Sequence, residues 1–415
     1  MRGMTSGDTT RIGRQTMHEV DFRITSTGNR VATGPLTSDS SQCALIPARA
    51  YTSAAAHELE RERIFAAGWV WAGYAHWVGE PGRVKPIVVA DQPLLMVHGE
   101  DGEIRVFHNS CRHRGMALTE EPITVKRRIQ CSYHCWSYDL DGSLAVTPYF
   151  QRERQARSGP ADKRALGLLA VASRVWAGMV FVDLGERDID TAAASFDRFI
   201  APLARRWSHI DFGRIRLAEE RVFDVAANWK LVVENFLDFY HLPFIHPQVG
   251  SVTSSLDVDD EVLSPEIIGG CYPRGATGKA AKTSEALPFL GEVPREKTEN
   301  QDIFCVFPNA LLFLEADWFQ VIGFEALSAD RTVEHMAIFV DQDGASEDHS
   351  VNRKRLAEVL FGVNEQDLPI LGKLQAGRHS PASDRTSLVP HWDQVTAMFQ
   401  QLVADRMAGP AAQEK

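Results

Sequence analysis

The chain has 415 residues, 44% hydrophobic and 24% charged, a balance ordinary for a folded enzyme in a chain too long for one core. A net charge of −11 excludes the basic footprint of a nucleic-acid binder, and no apolar run reaches the roughly 18 residues of a membrane span. Six cysteines in so long a chain make no disulfide framework, which points to a reducing cytoplasm.

Residues 1–44 open on a stretch rich in Ser, Thr, Gly and Arg, without the apolar core of a secretory signal, and read as a mobile tail. Residues 54–65 have the spacing of an amphipathic helix. From Trp69 short apolar runs alternate with turn signals. Residues 84–90, 93–98, 104–109 and 144–147 suit strands, with Glu80-Pro81-Gly82, Asp101-Gly102 and Asp141-Gly142 at the turns. With its leading helix this all-β module spans 45–165 and ends in a polar linker over 151–163.

The loops of the module carry Cys111-Arg112-His113 and Cys131-Ser132-Tyr133-His134, each half bringing one thiolate and one imidazole. Two cysteines on one iron and two histidines on the other is the ligand set of a Rieske [2Fe–2S] centre; the neutral imidazoles raise its potential above that of a four-cysteine cluster. A structural zinc site is the competing reading, but zinc motifs more often pair like with like. Cys135 is an extra thiol and reads as packing, while Cys43, Cys271 and Cys305 read as scattered buried thiols.

Two β-like runs, 168–173 and 175–183, precede an amphipathic helix over 192–207 and a strand over 214–223. The stretch 228–247 then sets Asp238, His241 and His246 at the end of an apolar helix. Two imidazoles leaving a helix end together point to metal; the plain alternative is a buried helix with hydrogen-bonded histidines. On a continuous helix the two rings would point about 140° apart. Pro243 is expected to end the helix at Leu242 and let the chain bend His246 back. Asp238, one turn before His241, is placed to accept its ring N–H. Residues 251–298 read as a long loop. Strands are expected at 304–306, 310–314, 319–325 and 332–340, and helices at 352–360, 367–375 and 392–407, giving an α+β second half, 166–415.

Asn109-x-Cys111-x-His113-Arg114-Gly115, followed by Cys131-x-Tyr133-His134-x-Trp136-x-Tyr138-x-Leu140-Asp141-Gly142, resembles the N-terminal Rieske domain of ring-hydroxylating oxygenase α subunits. Asn228-Trp229-Lys230 through Asp238-x-x-His241-x-x-x-x-His246 resembles their catalytic signature, and the similarity runs from about residue 45 to 407. Ser132 and Cys135 stand where proline and a small residue are commoner. The resemblance implies a Rieske cluster on Cys111, His113, Cys131 and His134, and a helix-grip-like catalytic domain holding a mononuclear Fe(II) on His241, His246 and a downstream aspartate. Asn364-Glu365-Gln366-Asp367, with Leu371 and Gln375 beyond, fits that place at a helix start, making Asp367 the third ligand; Pro369 is tolerable in a first turn. Asp384, Asp341 and Glu315 are weaker candidates, and a helix-capping acid is the plain reading of Asp367. The resemblance further implies that Asp238 bridges His241 to His134 of a neighbouring chain in a head-to-tail homotrimer.

The implied function is a terminal oxygenase inserting oxygen from O2 into a small substrate. No Gly-x-Gly-x-x-Gly pattern occurs, so NAD(P)H would act only indirectly, through a ferredoxin or flavin reductase. Residues 232–241 resemble the branch containing choline monooxygenase and quaternary-amine demethylases, which ranks hydroxylation or demethylation of a quaternary amine above cis-dihydroxylation of an aromatic ring. Phe239, Phe244, Phe304, Phe307, Phe313 and Trp318 are candidates for a cage around a cation or a ring. A Rieske electron-transfer protein or zinc-stabilised binding protein without oxygenase activity is the rival of another class.

Overall fold

The computed structural model describes residues 46–150, 163, 165–185, 188–247, 259–273 and 287–409. The expected tail, Cys43 and all of the expected linker except Lys163 lie outside them. Ser53 caps α1 (Ala54–Glu60) by accepting the Ala56 N–H, and a wider turn over Arg61–Phe65 extends it. The N-terminal module follows with β1 (Trp69–Tyr74), β2 (Arg83–Val89), β3 (Gln92–His98), β4 (Ile104–His108) and the short β5 (Ile123–Thr124). Next come β6 (Arg128–Gln130), β7 (Ser137–Asp139) and β8 (Leu144–Val146), then the hairpin of β9 (Ala170–Trp176) and β10 (Met179–Asp183). The larger sheet is ordered β1-β10-β9-β4-β3-β2-β5 and the smaller β6-β7-β8.

α2 (Ile189–Arg206) starts at Asp188, whose carboxylate accepts the Thr191 N–H. β11 (Ile215–Val225), α3 (Trp229–Leu237) and the single turn α4 (Leu242–Ile245) lead into β12 (Asp259–Ser264) and β13 (Ile267–Pro273). A turn of helix, α5 (Arg295–Thr298), precedes β14 (Asn300–Val306), β15 (Ala310–Leu314), β16 (Phe319–Ser328) and β17 (Arg331–Asp341). Helices α6 (Ser350–Gly377) and α7 (Gln394–Ala408) complete the described chain. The C-terminal sheet is ordered β11-β17-β16-β15-β14-β13-β12 and is antiparallel throughout.

Strand alternation splits this sheet into two apolar faces. Cys305, Leu311, Ile322, Phe324, Met336 and Ile338 pack under α3, α6 and α7. Phe304, Leu312, Phe319, Val321 and Phe339 pack against α2 and Trp69, Trp71, Tyr74 and Phe181 of the N-terminal sheet. The modules are locked by Asn309, whose side-chain amide accepts the Trp71 N–H at 2.9 Å and donates to the Trp71 carbonyl at 2.9 Å.

Four sequence expectations change. The leading segment and helix are expected in the N-terminal module (45–165), but Ile46 and Tyr51 before the helix and Ile64 and Phe65 at its end pack in the C-terminal core beside Trp229 and Phe399. Glu60 is there the counter-ion of Lys230, both fully buried. The boundary at 165/166 also falls before β9 and β10, which join the N-terminal sheet; apolar periodicity defines a face, not the sheet it joins. Within the expected loop 251–298, β12 and β13 are strands. Gly269 looks like a loop residue, yet the Ile303 carbonyl lies 2.0 Å from where its Cβ would be, so the pairing requires glycine. Finally, the helices expected at 352–360 and 367–375 are one helix, α6, with Pro369 in its interior. Among the described residues no helix is long and apolar enough to cross a membrane.

Candidate metal centres

The first candidate centre sits on two loops of matching geometry. The Cys111 N–H donates to the Met116 carbonyl and the Gly115 N–H to the Cys111 carbonyl, each at 2.8 Å. In the second loop Cys131 donates to Trp136 at 2.8 Å and Cys135 to Cys131 at 3.0 Å. Both cysteines of the motif are buried, while His113 and His134 are exposed with ring centroids 4.6 Å apart. Trp136 stacks on His113 at 5.0 Å, and the Tyr138 hydroxyl lies 3.3 Å from Cys111 Sγ. Desolvation, with His113 and Arg114 nearby, lowers the pKa of His134. Burial pushes the Cys131 thiol up, with Cys111 nearby adding to the rise. Two buried sulfurs behind two neighbouring exposed imidazoles fit a cluster with sulfur ligands inside and histidines at the surface. Cys135 is exposed at φ 58°, so the expected packing role is corrected: it occupies a turn position, not a core one. Cys305 is buried as expected and Cys271 only half-buried.

The second candidate centre is built by a break in the stretch 228–247. α3 begins at Asn228, whose side chain accepts the Lys230 N–H, and ends at Leu237, earlier than expected. Asp238 leaves helical geometry and its carboxylate accepts the Tyr240 N–H at 2.6 Å. Pro243 therefore does not end the helix; it opens α4, where its missing N–H is no loss. His241 and His246 flank that single turn, with ring centroids 5.2 Å apart and ring planes at 75°.

α6 brings Asp367 to the same place. Its Oδ1 lies 3.0 Å from His246 Nε2 and 3.7 Å from His241 Nε2, and one ligand atom from each of the three residues falls within 4.8 Å of the others. These three atoms are buried and without hydrogen-bond partners, an arrangement that is costly unless a cation sits among them. The far ring nitrogens are fixed: His241 Nδ1 donates to Asp238 at 3.1 Å and His246 Nδ1 to Gln366 Oε1 at 2.7 Å. Two imidazoles and a carboxylate on one side of an open space is the facial arrangement suited to iron. Asp367 lies mid-helix, not at a helix start, so a capping role is excluded.

The weaker third-ligand candidates go elsewhere. Asp341 pairs with Arg214, and Asp384 accepts the Ala48 N–H at 2.7 Å. Glu315 lines the cavity that opens onto the triad. This cavity, of about 160 Å³, is walled by α3, α6 and the sheet, including Phe239, Phe313, Trp318, Ile322 and Leu360. Of the other cage candidates, Phe304 lies on the opposite sheet face, Phe307 in the core, and Phe244 is 71% exposed. Sequence reasoning missed Gln366, the partner of His246, and Glu334. Burial pushes the Glu334 carboxyl up to about 7, with the negative Asp367 adding to the rise and the 2.8 Å bond from Asn364 opposing it.

Comparison with known proteins finds two family matches along the chain. Residues 68–160 match the Rieske [2Fe–2S] domain and residues 212–409 the catalytic domain of the ring-hydroxylating α subunit. The chain is 31% identical over 223 residues to the glycine betaine monooxygenase oxygenase subunit of Chromohalobacter salexigens, covering 53% of this chain and 47% of that one. It is 29% identical over 298 residues to the chlorobenzene dioxygenase subunit alpha of a Cupriavidus species, covering 70% and 63%. The chain thus spans about half the length of the first of these relatives. A crystal structure of the quaternary ammonium Rieske monooxygenase CntA with an inhibitor superimposes with a TM-score of 0.68 at 23% identity, covering 87% of this chain and 95% of that one, a likeness of fold.

Proposed function

We propose, for a chain that joins a Rieske [2Fe–2S] domain to the catalytic domain of a ring-hydroxylating α subunit, that it is a terminal oxygenase. It takes electrons from a separate ferredoxin or flavin reductase and uses O2 to hydroxylate or demethylate a small organic substrate. One C–H bond becomes C–OH, the second oxygen leaves as water, and two electrons and two protons come from outside. The observation that carries this reading is the convergence of three buried, unpartnered ligand atoms, on His241, His246 and Asp367, at the wall of an apolar cavity.

Cys111, His113, Cys131 and His134 would hold the cluster, and His241, His246 and Asp367 the mononuclear iron. When bound, the cluster supplies single electrons and the iron supplies the position where O2 is reduced. The protein's part is orientation. Asp238 and Gln366 accept hydrogen bonds from the Nδ1–H groups of His241 and His246, which leaves both Nε2 lone pairs free for the metal. The apolar wall of Phe239, Phe313, Ile322 and Leu360 excludes water from the reacting carbon.

Asp238 serves as the bridge to His134 of a second copy of this chain, in a homotrimer. Support comes from exposure on both sides: His134 lies at the surface beside exposed Tyr133 and Met116, and half-buried Asp238 lies beside exposed Tyr240 and Phe244. A cytoplasmic location belongs to the same reading, supported by the unbridged thiols of Cys135, Cys271 and Cys305, which the cluster does not use. Of the substrate classes that the relatives' names carry, betaine-like amines and arenes, the buried Glu315 beside Trp318 and Phe313 favours an amine.

Metal analysis tests the proposal. The two cluster irons plus one mononuclear iron are expected per chain, with [2Fe–2S] absorption and no stoichiometric zinc, and His241→Ala should lose one iron while keeping the absorption. Wild-type protein with cluster iron alone, unchanged by His241→Ala, would leave an electron-transfer protein instead.

A further inference from the structure

The cavity that the triad borders is also walled by one face of the C-terminal sheet. Strand alternation turns Phe313 of β15 and Gln320 and Ile322 of β16 toward the cavity, and Glu315 follows at the end of β15. Register makes these residues neighbours: Phe313 pairs with Gln320, and the Glu315 N–H donates to the Trp318 carbonyl at 3.0 Å. Gln301 of β14 precedes Asp302, which pairs with Leu314 just before Glu315.

This corner is polar, and Glu334 of β17 is a further polar group on the same wall, whereas Ile303, Leu311, Phe313 and Ile322 are apolar. Gln301, Glu315 and Gln320 are 1%, 5% and 6% exposed, so none owes its place to solvent. Gln320 Oε1 has no hydrogen-bond partner, and neither does either amide atom of Gln301. A hydrocarbon ligand would leave the Gln320 oxygen, which borders the cavity, unpaired, and burying an unpaired acceptor is costly. The groups turned to the cavity are a carboxylate, an amide oxygen and the rings of Phe313 and Trp318, whose centroids are 4.8 Å apart. Carboxylate and ring faces attract any organic cation. An amide oxygen adds something only if the cation carries an N–H, because a fully alkylated ammonium has nothing to donate.

We propose that Glu315 and Gln320, backed by Gln301, form the recognition subsite for a protonated amine bearing at least one N–H, with Phe313 and Trp318 against the adjoining carbons. The subsite rests on the oxygenase reading only in taking this cavity as the substrate chamber. It also accounts for buried polar atoms that the metal centre does not use. Specificity then follows from the unpaired-group penalty: a site built to hydrogen-bond an N–H rejects the analogue lacking it.

The matched probes are trimethylammonium, which has one N–H, and tetramethylammonium, which has none, titrated calorimetrically into anaerobic holoprotein. Wild type should bind trimethylammonium roughly tenfold or more tightly than tetramethylammonium. Gln320→Leu should abolish that preference while leaving tetramethylammonium affinity in place, and Glu315→Gln should weaken both cations about tenfold or more. Equal binding of the two cations by wild type, an intact preference in Gln320→Leu, or no saturable binding of either would overturn the proposal. Iron content of the same samples reports separately on the oxygenase reading, since loss of the mononuclear iron would sink that reading whatever the cations do.

Discussion

Cys135 holds in the second sulfur loop the backbone position that Gly115 holds in the first. The two have φ of 58° and 74°, and each donates its N–H to the cysteine four residues earlier. A side chain in this left-handed region costs about 1 kcal/mol, and Cys135 is exposed, so no core packing offsets it. Cys135→Gly should therefore raise the thermal midpoint by ~2 °C with the cluster absorption unchanged. An unchanged or lower midpoint would mean that the thiol makes a stabilising contact.

Gln366 should matter as much to metal as a residue that touches none can. Its Oε1 fixes His246 by accepting from Nδ1 at 2.7 Å. Gln366→Leu should weaken mononuclear metal binding about 10- to 100-fold, read by chelator competition, without altering the [2Fe–2S] spectrum. Affinity within twofold of wild type would show that packing alone orients the ring.

Asp238→Ala separates a bridge from a ligand. The residue is outside the triad but bonded to His241. Both metals should stay bound, while anaerobic stopped-flow should show electron arrival at the mononuclear iron slowed by on the order of 100-fold. Unaltered single-turnover kinetics would remove Asp238 from the path.

The buried pair of Lys230 and Glu60 should be strongly destabilising to break. Glu60 also accepts the Trp229 indole N–H at 2.8 Å, and both charges are out of solvent. Glu60→Ala leaves the Lys230 ammonium uncompensated and should cost about 3–5 kcal/mol, whereas the double change Glu60→Leu with Lys230→Met should recover most of it. Denaturant titration of the three proteins decides; a double variant as weak as Glu60→Ala would place the effect in lost packing.

Asp302 carries a pH signature. Burial favours its neutral form, but Arg206, donating through Nε at 2.7 Å and Nη2 at 2.9 Å, and Trp207 outweigh burial and hold its pKa below the ordinary value. Its stabilising contribution is present above the unfolded pKa of ~3.9 and is lost as pH falls through the lower folded value. Asp302→Asn should thus be less stable than wild type at pH 7, and the gap should close below about pH 4. A gap independent of pH would show that shape rather than charge is missing.

How much of this was legible in the sequence depends on distance along the chain. The two Cys-x-His-type loops and the His241–His246 pair are local, and their residue types and spacing are enough to raise metal. Asp367 lies 121 positions beyond His246 (367 − 246), inside a helix with no marker of its own, and only the family resemblance picked it out. Its setting was misjudged because Pro369 reads as a first-turn proline. Gln366 and Gln320 looked like any polar residue on a helix or strand, since what distinguishes them is the partner or void they face. The leading helix went to the wrong module for a similar reason. Its apolar stripe is plain in the sequence, but Trp229 and Phe399, which cover it, lie far downstream.

That misplaced helix bears on synthesis. The Arg63 side chain donates to the Met407 carbonyl, and the Ala48 N–H to Asp384, so the earliest described segment is seated by the latest. On the ribosome the N-terminal sheet has all its strands once Asp183 has emerged. The residues just before it, Ile64 and Phe65 among them, must wait for α7 before their apolar sides are covered. A nascent chain stalled before Gln394 would hold every candidate metal ligand and still expose an unseated helix to chaperones and proteases.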